Sequence, residues 1–347
     1  MPTSIPSDLS SIIQAGILAP SADNRHCFEL EASSDRILLF GSDAYLTAPY
    51  HRKILSLISF GAVVENMVIR AARLGHRAHV TWAGNWARPS PIVELRLTRD
   101  KPTDTALDAA IARRHTNRRV IFSGPRLSEA ELARFKQRLN GLDGVTLAFF
   151  DSGRQRAELL RLIGIAEAER FNIQALHEDL FSAVRFDVGW HASAEEGLPP
   201  GALGVERGMR HAFAQLRHWP LMNALRHLGF HHALGFRAAY LPCRLAPHRG
   251  VLTTSLPMER GAASVGMALQ RIWLEAESQG LALQPFAGPA LLALPKYGDV
   301  PVETGERLRH AWKRLTDETP LMVFRLGHAS RPTIRTGRQP LENFLRF

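Results

Sequence analysis

The segment Gly61-Ala-Val-Val-Glu-Asn-Met-Val-Ile-Arg-Ala-Ala-Arg-Leu-Gly75 has a counterpart in Gly266-Met-Ala-Leu-Gln-Arg-Ile-Trp-Leu-Glu-Ala-Glu-Ser-Gln-Gly280. Both segments begin and end with glycine, have equal length and place apolar residues at the same helical positions. A second glycine follows each of them, one residue out of register, at Gly84 and Gly288. Independent amphipathic helices would share the apolar pattern but not necessarily both glycines. The pattern therefore predicts a fold built from two copies of one unit.

Length and composition predict a globular chain with one large domain or two. The 347 residues are 45% hydrophobic and 22% charged, as in ordinary globular proteins. The sequence contains no run of about 18 uncharged apolar residues, the length that a membrane span needs. The first residues resemble no secretory signal, and two isolated cysteines, Cys27 and Cys243, fit a reducing cytoplasm. The net charge of +10 is compatible with nucleic acid or with an anionic small ligand, so charge alone does not decide.

Basic residues concentrate between the two glycine-bounded segments, in Ile111-Ala-Arg-Arg-His-Thr-Asn-Arg-Arg-Val120. One interpretation of this run is a solvated basic helix end. The other is a phosphate site, because guanidinium groups donate in a fork that matches phosphate oxygens. Arg114, Thr116 and Arg118 are spaced two apart, so an extended backbone would direct all three to one side.

Three further stretches carry polar or basic residues next to predicted helices and strands. Ala19-Pro-Ser-Ala-Asp-Asn-Arg-His26 lies between a predicted helix and a predicted strand. Pro257-Met-Glu-Arg-Gly261 lies between a predicted strand and a long amphipathic helix. The third stretch, residues 331–342, is a basic tail that ends in Pro-Leu-Glu. Taken singly, each is also compatible with an ordinary turn or a disordered tail.

Together, the four stretches resemble the flavin-binding motifs of FMN-dependent nitroreductases. The resemblance implies three sets of cofactor-binding residues. The FMN phosphate would be held by Arg114, His115, Thr116, Arg118, Arg335 and Arg338. The flavin ring and ribityl chain would meet Pro20, Ser21 and Asn24. The flavin N5 edge would meet Pro257, Met258, Glu259, Arg260 and Gly261. The family usually continues the second motif with Gln-Pro-Trp, where this chain has His26-Cys27-Phe28.

The resemblance implies an α+β nitroreductase-like fold, with a central, mostly antiparallel sheet and long packed helices, duplicated in one chain as in the Acg type. Residues 1–106 would form a degenerate N-terminal repeat, and residues 107–347 a C-terminal repeat carrying the phosphate site. No arginine run precedes Ser7 and no Pro-x-Glu-Gly loop precedes Gly61, so one FMN per chain is expected between the repeats. The expected assembly is a monomeric pseudo-dimer or a weak homodimer.

The activity that the resemblance implies is electron transfer from NAD(P)H through FMN to a small-molecule acceptor such as a quinone or a nitroaromatic compound. Because the cofactor supplies the chemistry, no catalytic side chain is assigned. The alternative is a protein that binds or sequesters FMN without turnover, with Gly189–Gly204 closing over the ring. A nucleic-acid-binding protein is a third hypothesis. We expect no metal site, no nucleic-acid or membrane partner and a cytoplasmic location.

Overall fold

The chain folds around two four-stranded antiparallel sheets. The computed structural model describes residues 5–84, 86, 90–103 and 106–346. The first sheet has the order β1-β2-β4-β3 and consists of Phe28–Ser33 (β1), Arg36–Gly41 (β2), His76–Trp82 (β3) and Val93–Arg99 (β4). The second has the order β5-β6-β8-β7 and consists of Val145–Phe149 (β5), His248–Thr254 (β6), Ala282–Phe286 (β7) and Thr319–Gly327 (β8). The same strand order occurs twice, as expected for a duplicated unit, and the predicted antiparallel sheet is present once in each repeat.

Helices pack around the sheets in an α+β arrangement. In the first part of the chain they are Ser7–Ile17 (α1), Asp43–Leu46 (α2), Tyr50–Arg73 (α3), Ala106–Ile111 (α4), Glu129–Gln137 (α5), Gly153–Asn172 (α6) and Gln174–Ser182 (α7). They continue with Arg210–Gln215 (α8), Trp219–His227 (α9), Phe230–Gly235 (α10), Leu241–Leu245 (α11), Met258–Ser278 (α12), Gly288–Leu291 (α13) and Val302–Lys313 (α14). The predicted α+β class is therefore confirmed.

The two repeats meet where α3 crosses α12. A Cβ added to Gly61 would lie 2.0 Å from the carbonyl oxygen of Ala263, and a Cβ added to Gly266 would lie 2.0 Å from the carbonyl oxygen of Ile58. Gly61 and Gly266 are the aligned first glycines of the two repeats. Each glycine thus makes the same close approach to the backbone of the other helix, which only a residue without a side chain permits.

Two polar pairs beside this crossing follow the same symmetry. Gln270 donates to Asn66 at 2.6 Å, and Arg271 donates to Glu65 at 2.7 Å. In the repeat alignment, Glu65 corresponds to Gln270 and Asn66 corresponds to Arg271. Each pair is therefore the image of the other when the two helices are exchanged. The repeats pack with approximate two-fold symmetry, as two subunits of a symmetric dimer would.

Helix α3 occupies the centre of the protein. It is the one helix in the described part of the chain that is long and apolar enough to cross a membrane. However, 78% of its most apolar stretch is buried inside the protein. Its composition is accounted for by the core that it shares with α1, α12 and the first sheet.

The repeats differ most in the connection between their first two strands. In the first repeat, β1 and β2 are joined by Ser34 and Asp35 alone. In the second repeat, β5 and β6 are joined by residues 150–247, which contain helices α6 to α11. We call this segment the insertion. It breaks the two-fold symmetry, because only one repeat carries it.

Candidate functional site

A cavity of about 660 Å³ lies where the two repeats meet. Its base is formed by Ile58 and Ala62 of α3 and by Leu269 and Trp273 of α12. The arginine run contributes further wall residues, and side chains of the insertion cover the cavity from the other side; the latter include Leu180, Val184, Leu198, Leu203, Phe213 and Leu216. The cavity is therefore shared between both copies of the repeated unit, and its covering is largely apolar.

Arg118 is the member of the arginine run whose charge reaches this cavity. Its Nη1 donates to the carbonyl of Ala202 at 3.3 Å, and burial lowers the pKa of Arg118 to about 10. Within the described residues, no carboxylate forms an ion pair with it. The other arginines of the wall are paired: Arg52 with Asp23 and Asp179, Arg170 with Glu167, and Arg237 with Glu206. Asp23, which also lines the cavity, acts on the Arg118 charge without forming an ion pair with it. A guanidinium without an ion-pair partner at this position suits an anionic ligand.

The loop after α1 supplies neighbouring polar atoms. Pro20 and Ser21 line the cavity, as does Thr116 of the arginine run. The buried Ser21 Oγ has no hydrogen-bond partner among the described residues, which is unusual for a buried hydroxyl. Asp23 and Asn24 both have a φ of 55°, a left-handed backbone that asparagine and aspartate tolerate better than most residues.

Asn24 holds the loop in place and does not line the cavity. Its Nδ2 donates to the carbonyl of Glu195 in the insertion at 3.0 Å. Its Oδ1 accepts a hydrogen bond from Arg338 in the C-terminal tail at 2.6 Å. Asn24 therefore connects three segments that are far apart in sequence, and it positions Ser21 through the backbone.

Arg114 and Arg338 donate hydrogen bonds to carbonyl groups at the C-terminal end of α1. Arg114 Nη2 donates to the carbonyl of Leu18 at 3.0 Å, while Arg338 donates to the carbonyls of Ile17 and Ala19 at 3.1 and 2.9 Å. Burial lowers the pKa of Arg114 to about 9 and that of Arg338 to about 10, and the nearby Arg338 adds to the effect on Arg114. Positive charge at a helix C-terminus is favourable. The two arginines thus support the loop that carries Pro20 and Ser21.

Arg114 also touches the cavity wall indirectly. Its guanidinium carbon lies 4.6 Å from the ring centroid of Trp273, and the indole itself lines the cavity. The buried Nε of Arg114 has no hydrogen-bond partner among the described residues. A cation stacked on the indole fixes the orientation of that ring.

The remaining phosphate candidates lie away from the cavity. His115 Nδ1 is 4.0 Å from Glu277, a carboxylate that also pairs with Arg113 and Arg331. The backbone carbonyl of Arg335 accepts a hydrogen bond from Ser193 Oγ at 2.6 Å. His115 and Arg335 are absent from the cavity lining, so the structure brings together only part of the predicted phosphate set.

The structure also places Pro257, Met258, Glu259, Arg260 and Gly261 outside the cavity lining. These residues form the first turn of α12, and about 18 Å of helix separates Gly261 from the cavity residue Trp273. The Arg260 guanidinium lies over the ring of Trp82 at 5.5 Å, and Gly261 packs against Thr254. The length of α12 therefore keeps this turn away from the cavity, where it was predicted to contact the flavin.

A different loop occupies the corresponding wall. Residues 284–288, at the end of β7 and the start of α13, all line the cavity: Gln284, Pro285, Phe286, Ala287 and Gly288. The sequence motifs did not predict a role for these residues. A signal was present, since Gly288 is the second glycine after the repeated helix and Pro285 precedes it by three residues.

His26 and Cys27, the residues that depart from the family pattern, line a smaller adjoining chamber of about 350 Å³. The chambers share wall residues, including His51, Arg52 and Tyr297, and the rings of His51 and Tyr297 stack at 3.8 Å. Neither ring nitrogen of His26 has a hydrogen-bond partner among the described residues, and its ring lies edge-on to Phe344 at 5.4 Å. Burial, assisted by Arg338, lowers the pKa of His26 to about 3, whereas burial raises the pKa of Cys27.

His26 gives a prediction about stability and pH. The folded protein keeps His26 neutral down to about pH 3, while the unfolded chain binds a proton below about pH 6.5. Stability from this residue is therefore present above pH 6.5 and is lost as the pH falls, by about 1.4 kcal/mol per pH unit. Between pH 6.5 and 5, the unaltered protein should lose about 2 kcal/mol more free energy of unfolding than His26→Phe does. Urea unfolding of both proteins at the two pH values measures this difference. Equal pH slopes for the two proteins would contradict the assignment.

Comparison with known proteins gives structural matches only. No family model and no curated protein matches the sequence. Among solved structures, the FMN-dependent nitroreductase NfnB of Mycobacterium smegmatis, in complex with NADPH, has a TM-score of 0.41 at 18% identity and covers 70% of this chain and 97% of its own. A Desulfitobacterium hafniense nitroreductase with bound FMN has a TM-score of 0.37 at 16% identity, with coverages of 71% and 99%.

A further match is the NADPH:FMN oxidoreductase of Vibrio harveyi complexed with NAD+, with a TM-score of 0.37 at 12% identity and coverages of 69% and 75%. The ligands in these structures belong to those proteins. For this chain, the candidate site is the cavity that Arg118 lines. By structure as by sequence motif, the chain is similar to FMN-dependent nitroreductases.

Proposed function

We propose that the cavity between the repeats binds one FMN per chain, with the phosphate near Arg118. The observation that carries this proposal is the charge of Arg118, because it is the cavity arginine that forms no ion pair with a described carboxylate. Thr116 and the unpartnered Ser21 Oγ supply further donors along the same wall. A phosphate monoester needs this combination of a guanidinium and nearby hydroxyls.

The rest of the cavity suits a planar, largely apolar ring with one polar edge. Leu269 and Trp273 on one helix and Ile58 and Ala62 on the other give flat apolar surfaces. Residues 284–288 line the cavity beside them, and the Gln284 side chain there accepts hydrogen bonds from Arg325. In this proposal, the loop takes the position that the sequence analysis gave to residues 257–261.

The bound FMN would supply the redox chemistry, taking a hydride from NAD(P)H and returning electrons to an acceptor. The chain's own residues bind, orient and exclude water. Arg114 fixes the Trp273 ring, Asn24 and Arg338 hold the loop of Ser21, and apolar side chains of the insertion cover the opening. An apolar covering favours an apolar, planar acceptor such as a quinone or a nitroaromatic compound.

One observation favours the second candidate, an FMN-binding protein without turnover. The segment Gly189–Gly204 covers one side of the cavity and is tied down at several points. Gly197 N donates to the carbonyl of Asn24 at 3.2 Å, and Leu198 N donates to the carbonyl of Ala183 at 2.8 Å. A covering anchored in this way would have to open before a nicotinamide reaches the ring.

The visible absorption spectrum of the purified protein tests the proposal. We expect a flavin band and, after heat release, about one FMN for each chain, because both repeats contribute walls to the same cavity. Anaerobic addition of NADPH or NADH should then bleach the band within seconds if the protein is an enzyme. A colourless protein that takes up no added FMN would refute the site, and a yellow protein that is not bleached would support storage.

A further inference from the structure

The last four helices of the insertion, α8 to α11, lie in a segment that carries basic residues and no acidic ones, although Arg237 there pairs with Glu206 just before the segment. Residues 207–245, which include α8 to α11, contain six arginines and five histidines and no aspartate or glutamate. We call the exposed side of this segment the 207–245 surface. Positive charge concentrated without intervening carboxylates attracts anionic partners.

Exposed apolar side chains collect in the same segment. Eight large apolar side chains are strongly exposed in the described part of the chain, and six of them lie here: Met209, Leu221, Leu228, Phe230, Phe236 and Leu245. Leu228 is 83% exposed. A monomeric protein rarely gathers such side chains on one segment unless they contact a partner or a membrane.

Helix α9 shows how these side chains are arranged. Leu221, Ala224 and Leu228 are spaced three and four residues apart and are all exposed, so they form a stripe on one side of the helix. Met222 directly follows Leu221 and lies about 100° from it around the helix; it is fully buried and belongs to a core cluster of the insertion. The helix therefore has two apolar sides, and only one of them is used in folding.

A basic groove adjoins this surface. The groove has a volume of about 580 Å³ and lies between α6 and the chain from 232 to 244. Among the described residues, its lining contains no carboxylate but four basic side chains: Arg156, Arg161, His232 and Arg244. Phe236 and Tyr240, stacked at 5.2 Å, form the remaining wall, and Phe236 is 47% exposed. Phosphate-binding groups and an exposed aromatic ring therefore lie side by side.

We propose that the 207–245 surface docks on anionic phospholipid bilayers. Headgroup phosphates would bind the arginines of the groove, while Leu228 and Phe236 enter the boundary between headgroups and acyl chains. Arginine and large apolar residues on short helices are the composition of interfacial, membrane-bound segments. Four of the six exposed apolar side chains are aliphatic or thioether, which suits lipid better than the base stacking that nucleic acid requires.

This proposal departs from the sequence-based expectation of no membrane partner. That expectation followed from the lack of a spanning segment, but a surface that lies on a bilayer does not need one. The proposal is also independent of FMN, because the groove and the apolar stripe of α9 are outside the cavity lining.

Sedimentation of the full-length protein with large unilamellar vesicles tests the proposal. We expect binding to an equal mixture of phosphatidylglycerol and phosphatidylcholine, little binding to phosphatidylcholine alone, and weakening by added salt. The double variant Arg161→Glu with Arg244→Glu should reduce partitioning about tenfold or more. Leu228→Ser with Phe236→Ser should reduce it without changing the net charge.

A control variant is Arg77→Glu with Val302→Ser, because these side chains are 66% and 72% exposed but lie outside the 207–245 surface. It should bind vesicles like the unaltered protein. Equal binding to both kinds of vesicle, or equal weakening by the control, would overturn the proposal. So would binding of inorganic phosphate or a single-stranded oligonucleotide without vesicle binding. A dimer that Leu228→Ser with Phe236→Ser dissociates, again without vesicle binding, would assign the surface to self-association instead.

Discussion

Gly266→Ala is expected to destabilise the protein by about 3 kcal/mol or more, at the upper end of overpacking effects. The added Cβ would lie 2.0 Å from the carbonyl oxygen of Ile58, which is backbone and cannot rotate away. The helices α3 and α12 would have to separate, and the core between the repeats would lose contacts along both. Gly61→Ala should have a similar effect, because its Cβ meets the carbonyl oxygen of Ala263 at the same distance. Urea unfolding measures both variants.

Gly305→Ala is the matched control. Gly305 is also a buried helical glycine, but a Cβ there would meet only the flexible end of Arg309, at 3.1 Å. Alanine in a helix is normally favoured over glycine by about 0.5–1 kcal/mol, so this variant should be neutral or more stable. If Gly266→Ala behaved like Gly305→Ala, the close crossing of the repeats would be wrong.

Arg118→Glu should weaken FMN binding about 100-fold or more. It removes a charge-assisted hydrogen bond, worth about 1.5–3 kcal/mol, and adds repulsion between two anions. Arg118→Gln should have a smaller effect, because it removes the charge without reversing it. Fluorescence titration of the flavin-free proteins with FMN measures the three dissociation constants.

Arg260→Glu is the control for this experiment. Arg260 belongs to the predicted N5 loop but lies over Trp82, outside the cavity lining. It should bind FMN as the unaltered protein does. Loss of FMN from Arg260→Glu together with retention by Arg118→Glu would restore the sequence-based loop and refute the cavity. Thermal unfolding of each variant separates loss of binding from loss of fold.

The duplication was predictable because it rests on glycines, which mark positions where backbones approach. The equal lengths of the segments that begin at Gly61 and Gly266 indicated two copies of a helix. The structure gives the reason, because each of these glycines contacts the backbone of the other helix. Which strands pair with one another was not predictable, because pairing between repeats and pairing within a repeat leave the same alternating pattern. The sheet order shows that strands pair within each repeat.

The site was predictable in part. Pro20, Ser21, Thr116 and Arg118 were assigned from short motifs and line the cavity. Spacing alone did not separate Arg118 from Arg114, because only the fold shows which guanidinium meets helix carbonyls. The loop after the long helix was missed for a similar reason. A proline followed by a glycine occurs both at the start of α12 and at the end of β7, and the two look alike in sequence. The 21-residue helix α12 and strand β7 lie between them.

The two-fold crossing of α3 and α12 has a consequence for how the cavity responds to dilution. A cavity between separate subunits is lost when the subunits dissociate, so its ligand affinity depends on protein concentration. Here both walls belong to one chain, and the covalent connection between the repeats keeps each at a high effective concentration near the other. The dissociation constant for FMN should therefore be the same at nanomolar and micromolar protein.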